Sequence, residues 1–280
     1  MFKKILLPFD GLKTTMNSAR YAIHLARLLD AKLHVLYIIR TSAVASAKAC
    51  LGKHERHIKK YCIERTKGLF EGIKEEARKA GLKKIELNVT FGENVTKGII
   101  DAVQKKGIDL SVVQPSQYYH SELTGDLARR VSQKLKTPTL FVEAKTTLQK
   151  SAVIIVPVDE MKKNLVSTKT GIELAKQIKG KILFYHTTWR ESGLKTEEPI
   201  KHCDPRVIEC IGIAEKLAME NKVEYEVIVE MEKTIEAGII KCAARNSADL
   251  IVMTSSPALI GGQAELVLDN SMYPVLLIKK

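Results

Sequence analysis

Lys4-Ile5-Leu6-Leu7-Pro8-Phe9-Asp10 and Ala152-Val153-Ile154-Ile155-Val156-Pro157-Val158-Asp159 decide the fold, because they are one pattern written twice. Each is a short apolar run closed by Pro, with Asp two residues later. Each gives way to apolar residues at helical spacing, over 16–29 and 164–178. A buried parallel strand feeding a helix reads this way, since both faces of such a strand are covered. Asp10 and Asp159 stand 149 residues apart, as do Pro8 and Pro157, and that is about the size of one ordinary domain. The sequence therefore predicts a duplication, with domains over 1–146 and 147–280.

Outward from these runs the same series appears in both halves. In the first, strands are predicted over 4–9, 32–39, 85–91, 110–113 and 138–142, with helices over 16–29, 54–79, 95–105 and 125–136. The small-residue stretch 41–49 reads as a loop or a loosely held helix. In the second, strands are predicted over 153–158, 181–186, 224–229, 250–253 and 275–278, with helices over 165–179, 205–220, 235–246 and 263–270; 187–204 reads as irregular. Strands alternating with helices predict an α/β fold with parallel sheets and right-handed crossovers.

At 280 residues and 45% hydrophobic, the chain sustains a full core. No apolar run reaches the roughly 18–20 residues of a spanning helix. Met1-Phe2-Lys3-Lys4-Ile5 runs straight into a strand without the apolar core of a signal peptide, which predicts a cytoplasmic protein and no membrane partner. Cys50, Cys62, Cys203, Cys210 and Cys242 form no disulfide pattern, in keeping with a reducing compartment. The net charge of +13 is unevenly held: residues 1–146 carry 27 Lys+Arg against 14 Asp+Glu, and 147–280 carry 18 against 18. A basic half can attract nucleic acid. Yet the basic residues follow helix faces with no interleaved aromatics, so a solvated lysine-rich surface is the expectation and a nucleic-acid partner is disfavoured.

The repeated strand–Pro-x-Asp, the β/α alternation, Asp109-Leu110-Ser111-Val112-Val113, Asp249-Leu250-Ile251-Val252-Met253 and the closing Tyr273-Pro274-Val275-Leu276-Leu277-Ile278 together resemble the universal stress protein family in its tandem, two-domain form. The resemblance covers nearly the whole chain. It implies two Rossmann-like domains of the adenine nucleotide alpha hydrolase-like kind, each a five-stranded parallel sheet of order 3-2-1-4-5. It also implies pairing of the two halves through their fifth strands, with a further homodimer open.

Nucleotide-binding members of that family carry Gly-x-x-Gly, nine residues, then Gly-Ser or Gly-Thr after strand four. Glycines let backbone N–H groups close on phosphates at a helix N-terminus. Here the first half reads Gln114 and Gln117, then Gly125-Asp126 after a shorter gap; the second reads Thr254 and Pro257, then Gly262-Gln263. Gln places a side chain where phosphate should approach, Asp126 a negative charge, and Pro257 lacks a donor. Ser255, Ser256, Gly261 and Gly262 remain as a weak anion nest. The candidate nucleotide site is therefore Pro8, Asp10, Ile38 and Gly125 in the first half, and Pro157, Asp159, Ser255, Ser256, Gly261 and Gly262 in the second. Asp10 and Asp159 lie at the carboxyl ends of first strands, where open parallel sheets bind ligands, and also read as turn and helix caps.

Cys50, His54 and His57 fall at i, i+4 and i+7, one face of a helix if that segment is helical, and could supply zinc ligands. The spacing matches no zinc module, so a surface cluster is favoured over zinc. His202, Cys203 and Cys210 form a similar loose set. No nucleophile elbow, paired carboxylates or Walker loop is visible. Ser116, Ser255 and Ser256 have no positioned base and read as loop polar groups, while Tyr185 and Trp189 read as packing. The sequence thus points to a stress-response regulatory protein with degenerate phosphate loops, acting through a protein partner or small ligand rather than turnover. An ATP-binding protein or slow ATPase using the second-half site is the alternative, and RNA association through the basic half is a third, weaker reading.

Overall fold

A computed structural model describes residues 1–12, 15–51, 54–115, 125–142, 148, 151–159, 165–189, 199–255 and 262–279. The chain divides into two compact units, Phe2–Thr147 and Leu148–Lys280, the latter with Met1.

The first unit runs β1 (Lys4–Pro8), α1 (Thr15–Leu28), β2 (Lys32–Ile39), α2 (Thr41–Leu51), α3 (Glu55–Ala80), β3 (Ile85–Phe91), α4 (Val95–Lys106), β4 (Leu110–Val113), α5 (Gly125–Lys134) and β5 (Thr139–Phe141). Its strands are parallel, in the order β3-β2-β1-β4-β5. The second unit runs β6 (Val153–Pro157), α6 (Leu165–Ile178), β7 (Lys181–Trp189), a 3-10 turn (Pro199–His202), α7 (Pro205–Glu220), β8 (Glu224–Glu232), α8 (Ile235–Arg245), β9 (Leu250–Ser255), α9 (Gln263–Asn270) and β10 (Val275–Lys279). Its order is β8-β7-β6-β9-β10, the same series read from the other edge. The expected α/β fold, one five-stranded parallel sheet per unit in the order 3-2-1-4-5, is present.

The central strands are buried because both faces are covered: Ile5, Leu6 and Leu7 of β1 and Ile154, Ile155 and Val156 of β6 are at most 1% exposed. Pro8 and Pro157 close these strands, where a missing N–H costs the ladder least. Helix α3 stops at Gly81, whose φ of 74° satisfies the last carbonyls without a Cβ penalty. Asn94 caps α4 by accepting from Lys97 N, and Asp204 caps α7 by accepting from Arg206 N.

One device recurs in both units. The Asp that opens the fourth strand takes the backbone N–H groups that open the first: Asp109 accepts from Lys3 N at 2.8 Å and Lys4 N at 3.0 Å, and Asp249 Oδ2 accepts from Val153 N at 2.9 Å. Burial raises the Asp249 carboxyl above its usual range, against the lowering by that N–H.

One stretch resolves an open expectation and one differs from it. Residues 41–51 form α2, whose first turn is held by Glu93: its Oε2 accepts from Thr41 Oγ1 at 2.6 Å and Ser42 N at 2.9 Å. Strand β7 continues beyond 186 to Trp189, because β8 pairs with it as far as Trp189 opposite Glu232. No helix among the described residues is long and apolar enough to cross a membrane.

Candidate functional site

In each unit the carboxyl ends of the first two strands form one side of the candidate site. In the first, Phe9 N donates to Leu36 O at 2.9 Å, which sets Pro8, Asp10 and Ile38 at neighbouring strand ends. Asp10 is exposed, but its Oδ1 is already engaged, accepting from Leu12 N at 2.9 Å and Thr15 Oγ1 at 2.8 Å. The carboxylate thus ties the turn after β1 to the first residue of α1. Gly11, at φ +82°, sits under Leu69: a Cβ there would come within 2.9 Å of Leu69 Cδ1. Ile38 is half-buried and covers Gly98 of α4, where a Cβ would meet Ile38 Cδ1 at 2.8 Å.

Tyr37, beside Ile38, stacks edge-on against Phe70 at 6.5 Å. Burial, and then the Asp10 charge, raise its hydroxyl above the ordinary tyrosine range. With Glu93 two residues past β3 and the exposed Arg40 just past β2, the strand-end edge of the first unit presents two carboxylates and one guanidinium. Gln114 follows β4 with its Oε1 buried and without a hydrogen-bond partner among the described residues. Gly125 opens α5, while Gln117 lies outside the described residues.

In the second unit Val158 N donates to Tyr185 O at 2.8 Å, the counterpart of the Phe9–Leu36 bond. Pro157 and Asp159 are half-buried on either side of it. His186 takes the place of Tyr37, and its Nδ1 lies 2.8 Å from Val158 O, so that nitrogen carries the proton and donates. Ser255 is the last residue of β9 rather than part of the loop; its hydroxyl is fully buried and has no hydrogen-bond partner among the described residues. Gly262 is the N-cap of α9 and contributes no side-chain cap. Ser256 and Gly261 lie outside the described residues.

Sequence reasoning missed a polar network behind this edge. Tyr185 is 1% exposed, and its hydroxyl lies 3.5 Å from Glu230 Oε2, which Arg245 grips through both carboxylate oxygens. Burial, followed by the Glu230 charge, drives the Tyr185 hydroxyl far above its usual range. The same two causes, in the same order, push the Cys242 thiol up to about 11. A Tyr in an apolar strand gives no hint of this; only pairing with β8 brings Glu230 to it.

The continuous helix that the disfavoured zinc reading required is absent. Helix α2 ends at Leu51, and His54 is the extended N-cap of α3, with φ −60° and ψ 139°, so Cys50, His54 and His57 do not share a helical face. The exposed rings of His54 and His57 stand 6.3 Å apart, edge to face; the Cys50 side chain lies outside those described. Among the described residues no group of three His, Cys, Asp or Glu side chains is close enough to hold a metal.

The sequence profile of the universal stress protein family matches residues 1–143. A universal stress protein of Methanocaldococcus jannaschii is 28% identical over 145 residues, 51% of this chain and 83% of that protein. Over the whole chain, the crystal structure of a universal stress protein from Archaeoglobus fulgidus superposes with a TM-score of 0.72 at 18% identity, covering 99% of this chain and 96% of that one. A functionally unknown protein from Pseudomonas aeruginosa superposes with a TM-score of 0.62 at 16% identity, covering 99% of this chain and 92% of its own. At such identities the structural likeness speaks for the fold, while the match over the first half settles membership: the chain belongs to the universal stress protein family.

Proposed function

We propose that this is a stress-response regulatory protein of tandem type, its second unit a second universal-stress-type module, that acts by binding a partner or small ligand rather than by turnover. One observation carries the reading: Oδ1 of Asp10 is held by its own turn, accepting from Leu12 N and Thr15 Oγ1. A phosphate chain approaching this edge meets that charge and Glu93, with Gln114 in place of glycine. A small polar ligand is better suited to the second unit, where the Ser255 hydroxyl is buried and α9 opens on Gly262. Those two features also favour the second reading, a nucleotide held in the second unit.

Thermal melts with Mg–ATP, AMP and inorganic phosphate, on wild type and Ser255→Ala, separate the two. The regulatory reading expects no ATP-dependent rise in melting temperature. A dose-dependent rise with Mg–ATP that Ser255→Ala abolishes would establish the nucleotide reading instead.

A further inference from the structure

The opposite edge of the first unit, where its strands begin, is lined with lysine. In the order of the sheet, Lys83 and Lys84 lead into β3, Lys32 opens β2, and Lys3 and Lys4 open β1. Lys105 and Lys106 end α4 just before β4, and Lys134 and Lys136 precede β5. Five adjacent strands about 4.8 Å apart spread these nine lysines over about 19 Å. All but the half-buried Lys106 are exposed.

Three carboxylates share the edge. Asp30 pairs with Lys84, Glu86 pairs with Lys32 and Lys106 and is held down to about 2 by them, and Asp109 is occupied by the backbone of β1. Lys3, Lys83, Lys105, Lys134 and Lys136 have no carboxylate within ion-pair distance among the described residues.

The second unit is an internal control, because it repeats the fold in the same chain. Strand register matches Lys4 with Val153, Lys32 with Lys181 and Lys84 with Glu224. Counting from the paired Asp109 and Asp249, Lys105 and Lys106 match Arg245 and Asn246. Counting back from Thr139 and Val275, Lys134 and Lys136 match Asn270 and Met272. Lysines at helix C-termini are ordinary complements of the helix dipole. Among the described residues the second unit places four basic residues at the corresponding edge, Lys179, Lys181, Lys222 and Arg245, against nine lysines in the first, so the helix dipoles, which both units share, do not account for the excess.

We propose that this strand-start edge of the first unit is a docking surface for a nucleic-acid backbone. Lysine is depleted in protein–protein interfaces, which centre on apolar and aromatic anchors. Among the described residues no large apolar side chain of the first unit is exposed on this edge; those that are exposed, Leu12, Tyr61 and Leu69, follow β1 or lie on α3. A row of point charges without anchors or aromatics suits phosphates contacted irrespective of base. The sequence-based expectation set nucleic acid aside for want of aromatics, which backbone binding does not need. This surface lies at the far end of the strands from the ligand edge, so it stands or falls independently of the regulatory reading.

The test is fluorescence anisotropy of a labelled, mixed-sequence, single-stranded RNA against the full chain over a salt series. Two triple variants carry equal charge loss: Lys83→Gln/Lys105→Gln/Lys136→Gln on the edge, and Lys169→Gln/Lys216→Gln/Lys233→Gln on exposed positions of the second unit. At low salt the edge variant should bind at least about tenfold more weakly than wild type. Its plot of log affinity against log salt should be shallower by about 2, or about 0.7 per lost contact. The second-unit variant should stay within about twofold of wild type, and all three should melt alike. Absence of wild-type binding at low salt overturns the proposal, as does equal loss in both variants. Polyglutamate or phosphatidylserine vesicles displacing the RNA as well as unlabelled RNA does would assign the edge to an acidic protein or a membrane and equally overturn it.

Discussion

Gly238 of α8 lies so close to Tyr185 that a Cβ would stand 2.3 Å from the phenolic oxygen. Gly238→Ala should therefore cost about 1–3 kcal/mol in urea unfolding, the usual cost of overpacking. Most of that loss should vanish in a Tyr185→Phe background, where the obstructing oxygen is gone; strict additivity would contradict the contact. Gly98→Ala, which meets only the movable tip of Ile38, should cost less. Three buried polar residues of the first unit, His34, Ser111 and Thr139, occupy positions held by Leu183, Ile251 and Val275 in the second. The Thr139 hydroxyl has no hydrogen-bond partner among the described residues, so Thr139→Val should be neutral or stabilising by about 1 kcal/mol. His34 Nδ1 is 3.5 Å from Glu86 Oε2, but burial outweighs that charge and lowers the ring below its ordinary value of 6.5. The native state then keeps His34 neutral, while the unfolded chain takes up a proton as pH falls through about 6.5. Stability should accordingly be full above that pH and fall on acidification, and His34→Leu should flatten the fall below about pH 6.5; an unchanged pH profile would contradict it.

Among the elements, the clamp from β4 to β1 is the simplest to probe. Asp109→Ala leaves two strand-opening N–H groups without their carboxylate and should cost about 2 kcal/mol by denaturant midpoint. Elements with a strong period and clear stops were legible from sequence: β2, β3, β4, α7 and α9 begin and end where expected. The Ala- and Ser-rich α2 was left open between loop and helix, since nothing local marks its start and its first turn is held by Glu93, far along the chain. The end of β7 was hidden for a similar reason, because it depends on a partner strand rather than on its own residues. At the candidate site, the capping role of Asp10 was anticipated as one of two readings, while the supposed His54/Cys50 face failed because the helix breaks before His54. Tyr185–Glu230–Arg245 could not be seen at all, as its members come from two strands and a helix.

Over the whole molecule, the two units share a strand order and differ at their edges. The first unit carries all of the net positive charge, with nine lysines against three carboxylates where its strands begin, while its strand ends present Asp10 and Glu93 with Arg40. The second unit is neutral overall and buries the Tyr185 hydroxyl beside Glu230. That division of labour suits a protein that binds rather than one that turns over nucleotide. The most direct test is calorimetric titration of the full chain with Mg–ATP at physiological salt. The account predicts no saturable heat at micromolar ligand; a one-site isotherm with micromolar dissociation constant would contradict it.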